Sequence, residues 1–465
     1  MTLSPILIEG DFHPDQEKTY VHLPFDIPAG ITRLDVEIAY TDKISAEPMV
    51  EGGNTIDLGL FDERGNGWMS PGFRGWSGSE RLHVFISEND ATPGYLAGPI
   101  HPGRWVVHLG LYKLAPRGCH YRIQVRLTEG ASMPVDPPVD LPAGDLPASP
   151  IPGEHAPWLR GELHCHSYHS DGRLSPDEVI ALARSKGLDF LALTDHNTIA
   201  SQRALAACSD PGLILLRGFE VTTFKGHFNT WGLPDWIDFR IGSPDEMEQA
   251  IQHASALGGL TSCNHPKPYG PPWDYPQVNN YDCMEVWNGP WETLNDLSLE
   301  AWTDQLALGR RLPALGGSDF HRPGERWGDE ERQLGSPVNW VYVPGVANSS
   351  TILSAIRAGH VTLSDRPEGP FLLITAGEKD TILPGDVARL EAGGRLRLRW
   401  FCQRGAGETL RLLDQKGVVY EQEVPSQDIH EQVDCSLLDS LYVRAELRMA
   451  DGHLSALTNP IYLVR

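Results

Sequence analysis

The sequence predicts three structural units: a central α/β unit of the βα-barrel type and a β-sandwich on either side of it. Segments of alternating apolar and polar residues occupy both ends of the chain, prolines crowd residues 131–157, and strand and helix patterns alternate from 158 to about 365. At 465 residues the chain is too long for one hydrophobic core, so two or three domains are expected.

Residues 1–130 have the pattern of a small β-sandwich. Segments 20–25, 31–38, 104–112 and 121–127 alternate apolar with polar residues in whole or in part, and turns rich in Gly, Pro, Asn and Asp separate them. Strands with this spacing are typical of sandwiches. The loop 66–76 is rich in glycine and aromatic residues. We interpret it as a packed cover for the sheet, with a ligand-binding or domain-docking surface as the alternative.

Residues 131–157 are expected to form a linker, because they contain eight prolines. Proline fixes φ and lacks an N–H group, so a segment this rich in it forms neither a helix nor a central strand. The first domain boundary is placed here.

The central unit, residues 158–365, alternates strands with helices. Strands are predicted around 162, 190, 215, 229, 261, 285 and 315, and the apolar runs at 190–194 and 213–216 are typical of buried parallel strands. Ser175 and Ser243 each begin a Ser-Pro-Asp-Glu capping box, and a third helix is expected from 349 or 350 to Gly359. About seven βα units favour a barrel over an open sheet, although the pattern alone does not force closure.

Residues 366–465 return to β character. Segments 395–401 and 441–447 alternate apolar and polar residues, and no chemical cluster is evident. A second small β-sandwich is the simplest prediction.

Composition limits the function classes. The net charge of −24 argues against a nucleic acid polymer as partner, because phosphate binding needs a basic face. Seven cysteines without any C-x-x-C pair indicate reduced thiols in a cytoplasmic protein. The first residues lack a basic segment followed by an apolar run, and no stretch reaches the roughly 20 apolar residues of a membrane span. We therefore expect neither a signal peptide nor a membrane partner.

Histidines and carboxylates recur near the C-terminal ends of the predicted central strands, where active sites of βα barrels gather. His164 and His166 lie two apart on one strand and so share a face, while Cys165 is expected to face the core. Any one such residue alone is usually an ordinary polar side chain, but recurrence at nearly every strand end points to a site. The predicted metal ligands are His164, His166, Asp171, His196, Glu220, His227, His265, Asp319 and His321. The same strand ends also offer Asp195, and Glu285 is a less certain candidate because it lies in the middle of its strand.

A set of imidazole nitrogens and carboxylate oxygens without a thiolate suits Zn, Mn or Fe, and the sequence does not choose among them. Nine ligands are too many for one ion. We expect two or three divalent ions, with a carboxylate such as Glu220 bridging two of them.

These motifs resemble the PHP family, named for its polymerase and histidinol phosphatase members. The family pattern is H-x-H with a following acid or histidine, D-H, a glutamate, two separated histidines and D-x-H. The chain matches it in order over about 200 residues, with Asp195-His196 as the D-H pair and an aspartate at 171 where some members carry histidine. Segments 54–61 and 457–462 resemble the carbaryl-hydrolase-like branch of the family.

The resemblance implies a distorted seven-stranded βα barrel with a trinuclear metal centre, in which Asp195 orients a ligand histidine. It implies three ligand sets: His164, His166, Glu220 and Asp319 for one ion; Glu220, His227 and His265 for a second; and Asp171, His196 and His321 for a third.

The expected activity is that of a metal-dependent phosphoesterase acting on small anionic mono- or diesters, with a hydroxide that bridges two ions attacking phosphorus in line. Lys267, which follows His265-Pro266, and Arg322, which follows His321, are predicted to contact phosphate oxygens. The alternative is a carboxylic ester, carbamate or amide hydrolase, because the same hydroxide can attack a carbonyl. A non-catalytic scaffold is disfavoured by the intact ligand set. The β units are candidates for oligomer contacts or for delivering a carbohydrate or polymer to the site.

Overall fold

The structure is a computed structural model that describes residues 3–47, 49–131, 146–147, 158–207, 212–268, 272–327 and 329–465. The predicted linker at 131–157 therefore lies almost entirely outside the described residues. The helices of the described ranges include none that is both long and apolar enough to cross a membrane.

The N-terminal region forms two four-stranded antiparallel sheets whose buried side chains make one apolar cluster. One sheet has the order β1-β8-β3-β6 and the other β2-β7-β4-β5. The segments predicted at 20–25, 31–38, 104–112 and 121–127 fall on β2, β3, β7 and β8. The strands are β1 (Ile6–Phe12), β2 (Tyr20–Ile27), β3 (Ile31–Tyr40), β4 (Thr55–Phe61), β5 (Phe73–Trp76), β6 (His83–Ser87), β7 (Gly103–Lys113) and β8 (Cys119–Glu129), with a short 3-10 helix at Pro14–Gln16.

The central region contains strands at all seven predicted positions, and they are neighbours in chain order. The two-residue strand β9 (Leu146–Pro147) precedes them. The elements that follow are β10 (Trp158–Glu162), α1 (Pro176–Ser185), β11 (Phe190–Leu193), α2 (Ala200–Ala207), β12 (Ile214–Thr223), β13 (Gly226–Trp231), α3 (Pro244–Ala256), β14 (Leu260–Cys263), β15 (Cys283–Asn288), α4 (Asn295–Ala307) and β16 (Ala314–Gly317).

The seven strands depart from a regular βα repeat at one place. β10, β11 and β12 are parallel, as are β14, β15 and β16, but β13 is antiparallel to both of its neighbours. A connection of two residues between β12 and β13 permits only a hairpin, since a parallel crossover needs a dozen or more. Beyond the two outer strands, the Asp319 N–H donates to the His164 carbonyl (2.7 Å) and the His166 N–H to the Phe320 carbonyl (2.9 Å).

The capping signals read from the sequence form helices where expected. The Ser175 side chain accepts from the Glu178 N–H while the Glu178 carboxylate accepts from the Ser175 N–H, and Ser243 caps α3 in the same way. Gly187 follows α1 with a φ of +69°, a left-handed conformation that glycine adopts without strain.

Several C-terminal strands extend the central sheet, and three others form a sheet of their own. β19 pairs with β10, β21 with β19, and β29 with β21, so one hydrogen-bonded path continues into β28, β25 and β26. A three-stranded sheet, β22-β24-β27, shares an apolar cluster with that extension. The segments predicted at 395–401 and 441–447 fall on β24 and β28. The elements are β17 (Arg326–Trp327), β18 (Glu330–Glu331), β19 (Val338–Tyr342), β20 (Val346–Ala347), α5 (Ser349–Ala358), β21 (Val361–Ser364), β22 (Phe371–Ala376), β23 (Val387–Arg389), β24 (Arg395–Gln403), β25 (Thr409–Asp414), β26 (Gly417–Glu423), β27 (Asp428–Ser436), β28 (Tyr442–Arg448), β29 (Leu454–Thr458) and β30 (Ile461–Val464), with a 3-10 helix at Glu378–Asp380.

Candidate metal centre

The structure brings all nine predicted ligands to one side of the seven central strands, with Glu220 of β12 in the middle. The Glu220 side chain is fully buried, and its carboxylate oxygens lie 2.7 Å from His196 Nδ1 and 3.2 Å from His227 Nδ1. Nitrogens of three further imidazoles lie 3.4 to 3.6 Å from the same carboxylate, those of His164, His166 and His265. One carboxylate that faces five imidazoles has the placement expected of a bridging ligand.

Asp171 and His321 extend the cluster on the side of the β10–α1 loop. Asp171 Oδ1 lies 3.3 Å from His321 Nε2 and 3.6 Å from His196 Nε2. The His166 ring contacts those of both His196 and His321, with 4.2 Å between centroids in each pair. The H-x-H pair therefore reaches both ends of the cluster.

Asp319, just beyond β16, closes the cluster from the opposite side. Its Oδ1 lies 3.0 Å from His166 Nε2 and 3.4 Å from His164 Nε2, and its Oδ2 lies 3.0 Å from an amino group of Arg332. Arg332 is fully buried and also donates to the Asp319 backbone carbonyl. No local pattern in the sequence singles out this arginine, because it lies in a segment between two short strands.

Ligand atoms converge in three groups among the described residues. Within each group the atoms lie within 4.8 Å of one another. Two groups resemble the sets implied by the family pattern, but His166 and His196 each join two groups, and neither His265 nor Asp319 is in any of them. The groups are His164, His166 and Glu220; His196, Glu220 and His227; and His166, Asp171, His196 and His321.

Several buried ligand-type atoms at the centre have no hydrogen-bond partner within the protein. They include His164 Nε2, His227 Nε2 and His265 Nδ1. This is expected of atoms that bind a metal ion. Leaving such groups unsatisfied costs about 1 to 3 kcal/mol each. A nitrogen and oxygen donor set of this kind fits divalent Zn, Mn or Fe.

Two buried glutamates hold the ligands in place. Glu285 of β15 lies with Oε1 2.7 Å from His164 Nδ1, and its Oε2 accepts from the His265 N–H (3.0 Å). Glu162 accepts from the backbone N–H groups of His164 (2.9 Å) and Ser318 (3.1 Å), so it ties the ends of β10 and β16 together. A carboxylate behind a ligand imidazole fixes its tautomer and orientation. From the sequence, Glu285 was an uncertain ligand; the structure places it behind a ligand instead.

Asp195 and Cys165 stand beside the cluster. Asp195 accepts hydrogen bonds from the Ser167 N–H, the Ser167 hydroxyl and the Ser170 hydroxyl, each at 2.8 Å. It therefore shapes the loop that carries Asp171, and the contact with a ligand histidine that the family resemblance implied is not made. Cys165 is buried in an apolar cluster with Val179 and other side chains, as predicted.

Lys267 is placed differently from the expectation that it contacts a phosphate. Lys267 is buried, with only 2% of its surface exposed. Its ammonium group donates to the Asn288 carbonyl (3.1 Å), the Thr293 hydroxyl (3.1 Å) and the Asn295 side-chain carbonyl (2.9 Å). An ammonium group has three N–H donors, so all of them are used within the protein. Lys267 thus anchors the turn before α4. The sequence shows that Lys267 lies close to the predicted ligand His265, but it does not show the direction of the Lys267 side chain.

Arg322 lies at a cavity of about 640 Å³ that opens over the ligand cluster. Its guanidinium is 3.7 Å from Glu325, and its side chain is 44% exposed. Asp171, His196 and His321 contribute to the floor of this cavity, and loop residues 43–47 of the N-terminal region form part of its wall. Arg322, although paired with Glu325, therefore lies where its guanidinium can approach an anionic group in the cavity.

Opposing charges set the protonation of the cluster. Burial lowers the pKa of His196, but the carboxylates of Glu220 and Asp171 outweigh it and raise that pKa to about 9. Burial and the neighbouring His321 and His196 lower the pKa of His166 to about 4. Burial opposes ionisation of Glu220, yet the surrounding histidines hold the pKa of its carboxyl well below the ordinary value. The carboxylates of the cluster therefore favour protonation of His196, and a bound cation would compete with that proton.

Comparison with known proteins finds a match to the PHP domain over residues 162–284. The chain is 46% identical over 63 residues to a 5'-3' exoribonuclease of Haemophilus influenzae and 44% identical over 66 residues to a 3',5'-nucleoside bisphosphate phosphatase of Chromobacterium violaceum. These segments are 13% and 14% of this chain, and the chain spans only 23% of the length of either relative.

Among solved structures, a two-domain protein of Bacteroides vulgatus containing a predicted PHP-like metal-dependent phosphoesterase is similar with a TM-score of 0.37 and 18% identity. The similarity covers 71% of this chain and all of that one. The PHP match confirms the family resemblance for the central segment, and the carbaryl-hydrolase-like branch stays a prediction.

Proposed function

We propose that this protein is a metal-dependent phosphoesterase that hydrolyses small phosphate mono- or diesters. The observation that carries the proposal is the convergence of nine imidazole and carboxylate side chains, several with buried unpartnered atoms, around Glu220. The match of residues 162–284 to the PHP domain supports the same reaction class.

Bound divalent ions would activate a water and offset the negative charge of a phosphoryl group. The chain's own residues hold and orient these ions. His164 presents Nε2 to the cluster because Glu285 engages its Nδ1, and Glu220 presents one carboxylate to several histidines. Arg322 at the cavity wall is suited to meet an anionic ester as it enters.

The proposal includes an architecture. The strands β10 to β16 would form a distorted barrel closed by the hydrogen bonds between residues 164–166 and 319–320. Residues 158–365 would be the catalytic domain, and residues 1–130 and 366–465 would be flanking β-sandwiches. Residues 131–157 would link the first sandwich to the catalytic domain. Chain order of the strands and the backbone contacts at both ends support this reading.

A substrate panel tests the reaction class. The full-length protein, with its metal content measured, is given 4-nitrophenyl phosphate, bis(4-nitrophenyl) phosphate, 4-nitrophenyl acetate and an N-methylcarbamate of 4-nitrophenol, each with Mn²⁺ and with Zn²⁺. We expect turnover of a phosphate ester that chelation abolishes. Turnover of the carbamate or the acetate without any phosphate ester would refute the proposal.

Variants locate that activity in the cluster. His164→Ala and Asp319→Ala should lose both bound metal and turnover, because each removes a ligand-type atom at the centre. His253→Ala is the matched control, since that histidine lies in α3 and outside the ligand groups. Equal activity in all three variants would place the chemistry elsewhere.

A further inference from the structure

A second cavity, of about 280 Å³, lies beside the metal centre. We call it the side cavity. Asp171, His196 and His227 line both this cavity and the larger one above the ligands. A substrate bound at the ligands can therefore extend into it without crossing the protein interior.

Two different regions of the chain build the walls of the side cavity. The central region provides Phe224, from the β12–β13 turn, and the N-terminal region provides Tyr20, Trp76 and Tyr112. The Phe224 ring stacks on Tyr20 with 4.8 Å between centroids and lies 6.1 Å from the Tyr112 ring at an interplanar angle of 24°. Tyr20 also stacks on His108 with 5.3 Å between centroids, and Lys18 Nζ lies 3.5 Å over the Tyr112 ring. These aromatic residues therefore form apolar walls that suit a planar group.

The N-terminal region is held firmly enough to serve as a wall. The Tyr20 hydroxyl donates to the Phe239 carbonyl (3.2 Å), and the Asp238 carboxylate accepts from the Met69 N–H (3.1 Å). Arg81 donates to the carbonyls of Tyr168 and Ser170, in the loop that carries the ligand Asp171. The loop 66–76 thus has the domain-docking role that the sequence left as an alternative.

Among the described residues, three carboxylates line the side cavity: Asp57 of β4, Glu80 and Asp171. Glu80 forms an ion pair with Arg173, and Asp171 belongs to the ligand cluster. No other described residue donates a hydrogen bond to Asp57 or forms an ion pair with it within 4 Å, and two glycines leave space around it. A Cβ atom at Gly110 would lie 3.0 Å from Asp57 Oδ2, and one at Gly78 would lie 3.8 Å from Oδ1. Burial raises the pKa of this carboxyl to about 7, against the charge of Lys18.

An unpaired carboxylate between aromatic walls is suited to an aromatic group that carries N–H donors. We infer that the side cavity is a specificity subsite for an aromatic ring bearing an N–H donor, with Asp57 as acceptor and Phe224, Tyr20 and Tyr112 as its apolar walls. In a substrate this ring would be the part of the ester next to the reacting group, a role that rests on the proposed function. The binding of such a ring to the side cavity does not depend on the proposed function.

The experiment measures ligand binding rather than turnover. Benzamidine, a flat ring with N–H donors and a positive charge, and acetophenone, an uncharged ring of similar shape with only an acceptor, are titrated into the full-length metal-loaded protein by calorimetry at pH 8.5, where Asp57 is ionised. We expect benzamidine to bind at least tenfold more tightly, since a hydrogen bond to a charged group contributes about 1.5 to 3 kcal/mol. Equal affinities would overturn the inference.

Variants assign the preference to named residues. Asp57→Asn should reduce the benzamidine preference at least tenfold, whereas Asp26→Asn, an exposed aspartate on β2, should not. Phe224→Leu should weaken both ligands, so it tests the wall even if Asp57→Asn does not fold. Equal behaviour of the two aspartate variants, or unchanged binding in Phe224→Leu, would overturn the subsite.

The subsite and the proposed function fail separately. Asp57-dependent benzamidine binding without phosphate ester turnover would refute the function and keep the subsite. Phosphate ester turnover without a benzamidine preference would support the function and refute the subsite.

Discussion

Glu285 offers the sharpest test of how the metal centre is organised. It lies behind the ligand set, with Oε1 2.7 Å from His164 Nδ1 and Oε2 accepting from the His265 N–H and the Asn288 amide. Glu285→Gln keeps the size of the side chain but removes its charge and one acceptor oxygen. There is no room for a compensating shift on the side of Gly317, where a Cβ atom would lie 2.1 Å from Glu285 Oε1.

The expected loss follows from one charge-assisted hydrogen bond. Such a bond contributes about 1.5 to 3 kcal/mol, and a carboxylate that orients a ligand histidine typically changes metal affinity 10- to 100-fold. We therefore expect Glu285→Gln to weaken metal binding about 10- to 100-fold in competition with a fluorescent chelator. Glu248→Gln, on the exposed face of α3, should have no effect. Metal affinity within twofold of the unmodified protein, in a variant that folds, would refute the orienting role.

Three further outcomes follow from the structure. Asp57 keeps a proton in the folded state up to about pH 7 that the unfolded chain releases near 3.8, so it should reduce stability progressively as pH rises through that window. Lys18, Tyr20, Tyr40 and Tyr112 are its charged or titratable neighbours. Asp57→Asn should therefore raise the free energy of unfolding at pH 8 by an amount on the order of a few kcal/mol, measured by denaturant unfolding, and should not raise it at pH 4. Lys267→Met should lower the unfolding free energy by about 1 to 3 kcal/mol for each acceptor left unpaired and leave KM unchanged, whereas Arg322→Met should leave stability unchanged and raise KM for a phosphate ester. Chelation should lower the melting temperature by several degrees, since ligand at 100 times Kd stabilises by about 2.7 kcal/mol, and should not do so in His164→Ala.

Local patterns predicted most of the central region because local physics determines it. The capping boxes at Ser175 and Ser243 satisfy helix N–H groups with nearby side chains, so they are visible in the sequence. The sequence did not single out α4, and its N-cap shows why. Leu294 there has a φ of +62° and no side-chain cap, and the preceding turn is held by Lys267, which is distant in the chain.

The same distinction separates the residues found from those missed. The ligands were found because they recur near strand ends at fixed spacings. Arg332 and Asp57 were missed because their roles depend on distant partners, Asp319 for the first and the aromatic walls of the side cavity for the second. Lys267 shows the converse, since its position next to a ligand said nothing about the direction of a long side chain.

The backbone at the centre shows why metal occupancy and stability should be coupled. Asn197, His265 and Asp319 follow three central strands with φ of +52°, +29° and +50°, a region that non-glycine residues adopt at a cost of about 1 to 3 kcal/mol. Asn, Asp and His are found there more often than other non-glycine residues, which lowers this cost without removing it. Together with the unpartnered nitrogens at His164 and His227, these conformations make the metal-free centre energetically unfavourable. The rest of the fold maintains them, and bound ions would offset the cost by satisfying the atoms that these turns bring together.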